Sequence, residues 1–430
     1  MRTIQSIREA DEFFASLPDG FDSPQDFAAA LPAGADPAVQ YIPVAGTAGK
    51  TAVASLTAGI LTGAGFRTGL YTAGAEPLSA RILVDGQPLD GAAAEAYAEA
   101  ADRILEGTLL SRPAAELAAA CSCFGAAGCA FAVVETADGA LASALPQVPA
   151  CAVTHIGPDG TGRTIERLAH DAAAVMRKGT VCVTAPGQPK PALTEIIVAA
   201  GKADCELVVP DEEDITFPDD DKPTARVDYG GYDVPPAFMG YHAACNAAVA
   251  VELALALWRK GHDIQDDAIL GAMAAAKNRS SIRIVSRDPL VILDACRTPQ
   301  QAAALLRVLQ MAKIRHLNAV IGLRSQEGAE DFFATLENGL LTDDQKKDKE
   351  KMPGMGEEGP IDRLYLTAPA GAEPALADTL TNLARFHFEA QACAGLEEAL
   401  EAARAAGGRG IVICGSQELA LEAERLLESR

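Results

Sequence analysis

Residues 41–74 read YIPVAGTAGKTAVASLTAGILTGAGFRTGLYTAG. An apolar run stops at Gly46, a short turn ends in Gly49-Lys50-Thr51, an Ala/Leu-rich segment follows, and a second apolar run closes the stretch. This reads as a strand, a phosphate-cradling loop, a helix and another strand. A phosphate sits well at a helix N-terminus, where unpaired N–H groups and the helix dipole both favour negative charge. Glycines allow close approach of the backbone, the lysine reaches the outer phosphates, and a Ser/Thr hydroxyl binds Mg²⁺. Gly46, Thr47, Gly49, Lys50 and Thr51 supply those parts. The spacing is G-T-x-G-K-T, shorter than the full Walker pattern and without its leading glycine. The bland alternative is an ordinary strand-to-helix turn, but Lys and Thr placed together favour nucleotide binding.

Outward from this stretch the same rhythm continues. Apolar runs such as FAVVET, ACAVTHIG and GTVCVTAP alternate with longer Ala/Leu-rich periodic segments. Strands buried on both faces read as continuous apolar runs, and their alternation with helices implies parallel α/β units. The rhythm pauses at 211–236, rich in Asp, Pro and Gly, which reads either as a small β excursion or as a connecting loop. A helix-like segment follows, YHAACNAAVAVELALALWRKG. A second α/β series begins near Asp288, with strand candidates PLVILDA, NAVIGL, RLYLTAP and GIVICGS. The expected architecture is therefore α/β: a P-loop-type parallel-sheet ATP-binding domain over 1–285, then a smaller Rossmann-like domain over 286–430. The charged, Gly/Pro-bearing stretch at 341–360 reads as a mobile surface loop.

Mg·ATP also needs a carboxylate near the metal. Glu135 closes the run FAVVE, and a carboxylate at the C-terminal end of a strand in an open α/β sheet points into the ligand crevice. Asp159 and His155, after the next run, read equally as site or loop residues.

The chain has 430 residues, 49% of them hydrophobic, enough for two cores. Its net charge of −23 argues against nucleic acid, which needs clustered positive charge. The N-terminus lacks the apolar run of a secretory signal, and no stretch is long and apolar enough to span a bilayer. A cytoplasmic protein without membrane association is expected, and a monomer. The ten cysteines fit a reducing compartment. Cys121, Cys123 and Cys129 form only one loose group where zinc sites usually show two paired elements, so they read as buried core thiols, as do Cys182, Cys296 and Cys414.

With these residues in view, the sequence resembles the Mur ligase superfamily, and within it the folylpolyglutamate synthase/dihydrofolate synthase family. VAGTAGKTAV is similar to the family's V-x-G-T-N-G-K-G-S. GFRTGLYTAG with ARILVDGQPLD is similar to its G-Y-x-V-G-L-Y-T-S-P-H-L and E-R-I-x-V-x-G. MGYHAACNAAVAVELAL, PLVILDACRTPQQAAAL and GIVICGSQELALEAERLL resemble its G-x-H-Q-x-x-N-A-A, its P-x-V-I-L-D-G-A-H-N-P and its closing V-x-G-S segment. The resemblance runs from about Tyr41 to the C-terminus. It implies an ATP-dependent amide ligase that phosphorylates a folate-type carboxylate and joins it to glutamate. Lys50 and His242 would be catalytic, Thr51 and Glu135 would hold Mg²⁺, and Asn246, Asp294 and Arg297 would join the loop in binding ATP.

The pattern is broken at several places. The loop Asn is Ala48, and the S-P-H-L segment reads AGAEPL. The family's L-D-H reads Pro158-Asp159-Gly160. Its E-K-A-G, whose lysine is carbamylated in many relatives, reads Asp171-Ala172-Ala173-Ala174, with Lys178 further along. The interdomain P-G-R-x-E places Ser281 at its arginine and Arg283 at its glutamate, and D-G-A-H-N-P reads DACRTP, with Arg297 and Thr298 at the His and Asn. Two readings follow: an active ligase with an altered carboxylate substrate, in which Arg283 and Arg297 replace lost positive charge, or a non-catalytic paralogue that binds ATP and acts in regulation or partner binding.

Overall fold

The computed structural model describes residues 4, 6–20, 24–31, 38–74, 76–107, 110–136, 139–159, 161–216, 227–234, 241–275, 282–338 and 359–428. The charged stretch at 341–360 and Ser281 lie outside the described residues, apart from Gly359 and Pro360.

Eight strands form the first sheet: β1 (Gln40–Ala45), β2 (Thr68–Tyr71), β3 (Ile82–Val84), β4 (Gln87–Pro88), β5 (Phe131–Glu135), β6 (Ala150–Val153), β7 (Val181–Thr184) and β8 (Glu206–Val208). Their spatial order is β4-β3-β2-β5-β1-β6-β7-β8. The six from β2 to β8 run parallel, and β3 and β4 add an antiparallel hairpin at one edge. Central β1 is apolar along its length because both faces are covered. Tyr41 and Ala45 enter one core with the helices Ile7–Ser16, Gly91–Glu106 and Arg112–Ala126. Ile42 and Val44 enter the opposite core with the helices Lys50–Gly63, Tyr241–Arg259 and Asp266–Ala275. Period-two alternation on a strand sends neighbours to opposite faces, so a strand buried on both sides needs no polar position.

The segment near residue 211 is a β excursion: β9 (Ile215–Thr216), β10 (Val227–Tyr229) and β11 (Tyr232–Val234) make a small antiparallel sheet. It is seated on the first unit by the Tyr229 hydroxyl, which donates to Glu252 Oε1 at 2.9 Å.

The second sheet comprises β12 (Arg283–Arg287), β13 (Leu290–Leu293), β14 (Leu317–Ile321), β15 (Ile361–Leu366), β16 (Glu389–Ala392) and β17 (Gly410–Cys414), in the order β12-β13-β17-β14-β15-β16. Only β12 is antiparallel to its neighbour. Its two faces carry separate apolar clusters, one with the helices Pro299–Met311 and Ala329–Asn338, the other with Leu396–Ala405 and Gln417–Glu428.

None of the ten cysteines is in a disulfide; nine are buried and Cys205 is half-buried. Burial pushes the Cys121 and Cys129 thiols up to about 12, as expected of inert core thiols. Among the described residues no helix is long and apolar enough to cross a membrane.

Candidate nucleotide site

The first sheet has a topological switch at β1, whose neighbours are β5 on one side and β6 on the other. Open α/β sheets bind ligands at the carboxyl ends of the strands at such a point. The Gly-rich turn leaves β1 there and enters the helix Lys50–Gly63 with no side chain capping its first turn. Those first N–H groups have no partner within the helix and face outward.

Two glycines of the turn are required by space. Gly46 has φ +133°, and a Cβ on it would collide with Thr154 Oγ1. Gly49 has φ +87°, and its Cβ would collide with Asn246 Oδ1. Asn246 is buried on the helix Tyr241–Arg259, so its side chain backs the turn directly. Thr47 is tied to the strand beyond: the Thr47 and Ala48 N–H groups donate to His155 O at 3.2 and 3.1 Å, and the Thr47 hydroxyl accepts from Gly157 N at 2.7 Å. His155 thus supports the loop through its backbone, and burial lowers the pKa of its imidazole. With those two amides committed, the amides left to cradle a phosphate are the ones opening the helix.

Lys50, Thr51 and Glu135 meet. In the parallel register Glu135 lies beside Val44, two residues before Gly46. The Thr51 hydroxyl donates to Glu135 Oε2 at 2.9 Å, and Ala73 N donates to the same oxygen at 3.1 Å. Oε1 faces Lys50 Nζ at 3.9 Å, and Nζ donates to Gly46 O at 2.9 Å. Glu135 is 5% exposed. A hydroxyl and a buried carboxylate, both hard oxygen donors, suit Mg²⁺, which takes one or two carboxylates and fills its shell with water and phosphate oxygens. Among the described residues no group of three or more His, Cys, Asp and Glu could hold a metal, which leaves no all-protein cage.

His242 lies one helical turn before Asn246. Burial, then Arg307 and His155 nearby, lower its pKa to about 4. It is therefore neutral at pH 7 and can accept or donate a hydrogen bond but brings no charge to a phosphate. Asp294 follows β13 and is buried; burial raises its carboxyl to about 7, against the N–H donors of Cys296 and Ala295 that pull it down. Arg297 is exposed and its N–H donates to Gln301 Oε1 at 3.0 Å.

Other candidates are engaged elsewhere. Arg283 Nη1 donates to Glu424 Oε1 at 2.7 Å within the second unit, so it is not free positive charge. Asp159 pairs with Arg163 at 2.7 Å, and Arg163 reaches Asp171 at 3.2 Å. Lys178 lies beyond the helix Ile165–Ala173 rather than on it, exposed beside Asp204 at 3.1 Å. Arg163 was not singled out from sequence, nor were Tyr71, Arg81 and Glu116, which form a buried cluster beside the site. Their signal was Glu116 itself, the one charged residue in the apolar stretch AAELAAACSCFG, because an acid in such a setting needs a buried partner.

These two sheets, with a phosphate-type turn at the switch of the first, make a two-sheet α/β fold of nucleotide-binding type. More narrowly, it is the fold seen in solved folylpolyglutamate synthases. The Mycobacterium tuberculosis folylpolyglutamate synthase complexed with ADP superposes with a TM-score of 0.82 at 21% identity, over 99% of each chain. E. coli FolC in complex with DHPP and ADP gives 0.80 at 20% identity, over 100% of this chain and 99% of that one. Among curated proteins, a probable bifunctional folylpolyglutamate synthase/dihydropteroate synthase of Haloferax volcanii is 28% identical over 312 residues, 66% of this chain and 36% of the relative. Its namesake in Halobacterium salinarum is 29% identical over 324 residues, 70% of this chain and 39% of the relative. The chain thus spans less than two-fifths of the length of the curated relatives it matches. No family model matches it. In fold the chain is similar to these solved folylpolyglutamate synthases, and in sequence about two-thirds of it is similar to part of the two bifunctional relatives.

Proposed function

We propose that the protein is an ATP-dependent carboxylate–amine ligase that adds glutamate to a folate-type carboxylate. The observation that carries this reading is the convergence of Lys50, Thr51 and Glu135 at the switch point of a folylpolyglutamate synthase fold, with Thr51 Oγ1 2.9 Å from Glu135 Oε2. ATP would lie between the unit built on the first sheet and the unit built on the second, with residues 46–51 on one wall and Asp294 and Arg297 on the other.

The open amides at the start of the helix Lys50–Gly63 would bind phosphate oxygens, and Lys50 would neutralise charge developing on the transferred group. Thr51 and Glu135 would hold Mg²⁺, which neutralises phosphate charge when bound. The substrate carboxylate oxygen bonds to the γ-phosphorus as the bond to the β-phosphate oxygen breaks, giving ADP and an acyl phosphate. The amine of glutamate then attacks the acyl carbon, phosphate leaves, and the proton lost from nitrogen passes to a neutral base; His242, uncharged at pH 7, has the protonation state for that role. Approach of the second unit would exclude water from the acyl phosphate.

The test is ADP release from purified protein with Mg·ATP, glutamate and a reduced folate or dihydropteroate, with Lys50→Ala as control. Turnover that needs both organic substrates and Lys50 supports the ligase; ADP release independent of both refutes it.

A second reading, a paralogue that binds ATP without catalysis, draws support from Arg163. Its guanidinium fills the space between Asp159 and Asp171, at the positions aligned with the family's L-D-H and E-K-A-G segments. Lys50-dependent ATP binding without turnover on any carboxylate–amine pair would favour it.

A further inference from the structure

A buried ion pair lies beside β2. Arg81 Nη2 and Nη1 donate to Glu116 Oε1 and Oε2 at 2.6 and 3.0 Å, and the Tyr71 hydroxyl donates to Glu116 Oε2 at 2.9 Å. All three residues are buried. Such a pair recovers little beyond its own desolvation, so stability alone is a weak reason for it. The remaining Arg81 donors show what else it does. Nη1 also donates to Thr72 O at 3.1 Å, and Nε donates to Glu76 O at 2.9 Å. One side chain thus grips the backbone on either side of Ala73 and Gly74.

Ala73 is where this grip meets the site. Its N–H donates to Glu135 Oε2, the oxygen that also accepts from Thr51. Two donors on Oε2 fix the carboxylate plane and leave Oε1 toward Lys50. On the other side, Glu76 Oε2 reaches Gln417 Nε2 at 3.4 Å, at the start of the helix Gln417–Glu428 of the second unit. Gly74 is wedged between: a Cβ there would stand 2.7 Å from Glu76 Oε2, 3.2 Å from Arg81 Cδ and 3.3 Å from Gln417 Nε2.

We infer that Arg81 is a positioning residue for Glu135: anchored on Glu116 and Tyr71, it sets the Ala73 N–H that orients the carboxylate, and it holds Glu76 against the second unit. The inference rests on the ligase reading in that Glu135 there serves a divalent cation. Arg81 touches neither the cation nor substrate; it acts through two backbone carbonyls and one amide.

The test is Mn²⁺ binding followed by electron paramagnetic resonance in the presence of ADP, with amide exchange at Ala73 measured in parallel. Arg81→Lys keeps the charge and loses the forked geometry. Tyr71→Phe removes one hydrogen bond and keeps the shape. Arg81→Lys should weaken Mn²⁺ binding about tenfold or more, the size of effect seen when the partner that orients a metal ligand is lost. Tyr71→Phe should weaken it about two- to fivefold. Exchange at Ala73 should quicken in both, while ADP binding without metal stays within about twofold. Wild-type Mn²⁺ affinity and wild-type exchange in a folded Arg81→Lys protein overturn the inference; if that variant does not fold, Tyr71→Phe decides alone on the same two readouts. Glu135→Gln is the reference. If wild type and Glu135→Gln bind Mn²⁺ equally, or neither does, the cation role of Glu135 fails and the positioning role falls with it.

Discussion

Thr51 and Glu135 lie 84 residues apart in the chain and 2.9 Å apart in space. The contact exists because β1 and β5 pair in parallel with Val44 beside Glu135, and because the helix that begins at Lys50 turns its second residue back over the sheet edge. It joins the two groups expected to share a cation. Glu135→Gln should keep the bond from Thr51 and lose the charge. Removing a charged hydrogen-bonding group costs about 1.5–3 kcal/mol, so Mg²⁺-dependent affinity for ATP should fall about tenfold to a hundredfold. Calorimetric titration with and without Mg²⁺ checks this: equal losses in both conditions would remove Glu135 from the cation's shell.

Gly49 tests the turn. Alanine there meets two separable obstacles, the left-handed backbone at φ +87° and the collision with Asn246. The backbone part alone costs about 1–2 kcal/mol. Gly49→Ala should therefore destabilise by more than that, and adding Asn246→Ala should recover only the steric part. Thermal unfolding of the single and double variants measures both; full recovery would show that the conformation is not the constraint.

Asp294 makes stability pH-dependent. Its folded carboxyl is raised to about 7, mainly by burial. A raised carboxyl favours the protonated form when folded, so its contribution is present below the unfolded value near 4 and is lost as pH climbs toward 7. Asp294→Asn keeps the acceptor for Cys296 N and removes the titration. The variant should gain on wild type between pH 4 and 7, by on the order of a few kcal/mol at pH 8. Denaturant midpoints across that range provide the measurement, and a constant gap would contradict the assigned burial effect.

Arg81 and Glu116 should show strong coupling. Breaking a buried pair from one side costs about 3–5 kcal/mol because the other charge stays buried alone. Arg81→Met and Glu116→Met should each cost that much, and the double variant far less than their sum. A double-mutant cycle in urea gives the coupling directly; additive losses would mean that water reaches the pair.

Much of the architecture was legible because eight strands are largely apolar runs buried on both faces, β1, β2, β5, β6, β7, β13, β14 and β17, and β15 ends in one, Leu364–Leu366, after its exposed Asp362 and Arg363. The strands that escaped lie at or near sheet edges. β8 and β16 carry Glu206, Glu389 and Gln391 on solvent-facing positions, and β12 carries Arg283, Ser286 and Arg287. The β3–β4 hairpin did carry a turn signal, Asp85-Gly86, between its two short arms. In the site, Lys50, Thr51 and Glu135 were readable from spacing and strand ends. The contact of Asn246 with Gly49 was not, since it depends on how one helix crosses another. Nor was the engagement of Arg283 with Glu424, because an arginine's partner is set by the helix that the fold lays over it.

The ammonium of Lys50 rests on the carbonyl of Gly46, inside the very turn it serves. An ammonium has three N–H donors, so one can stay on that carbonyl while the others turn outward. The tether fixes where the side chain's end lies without exhausting what it can offer.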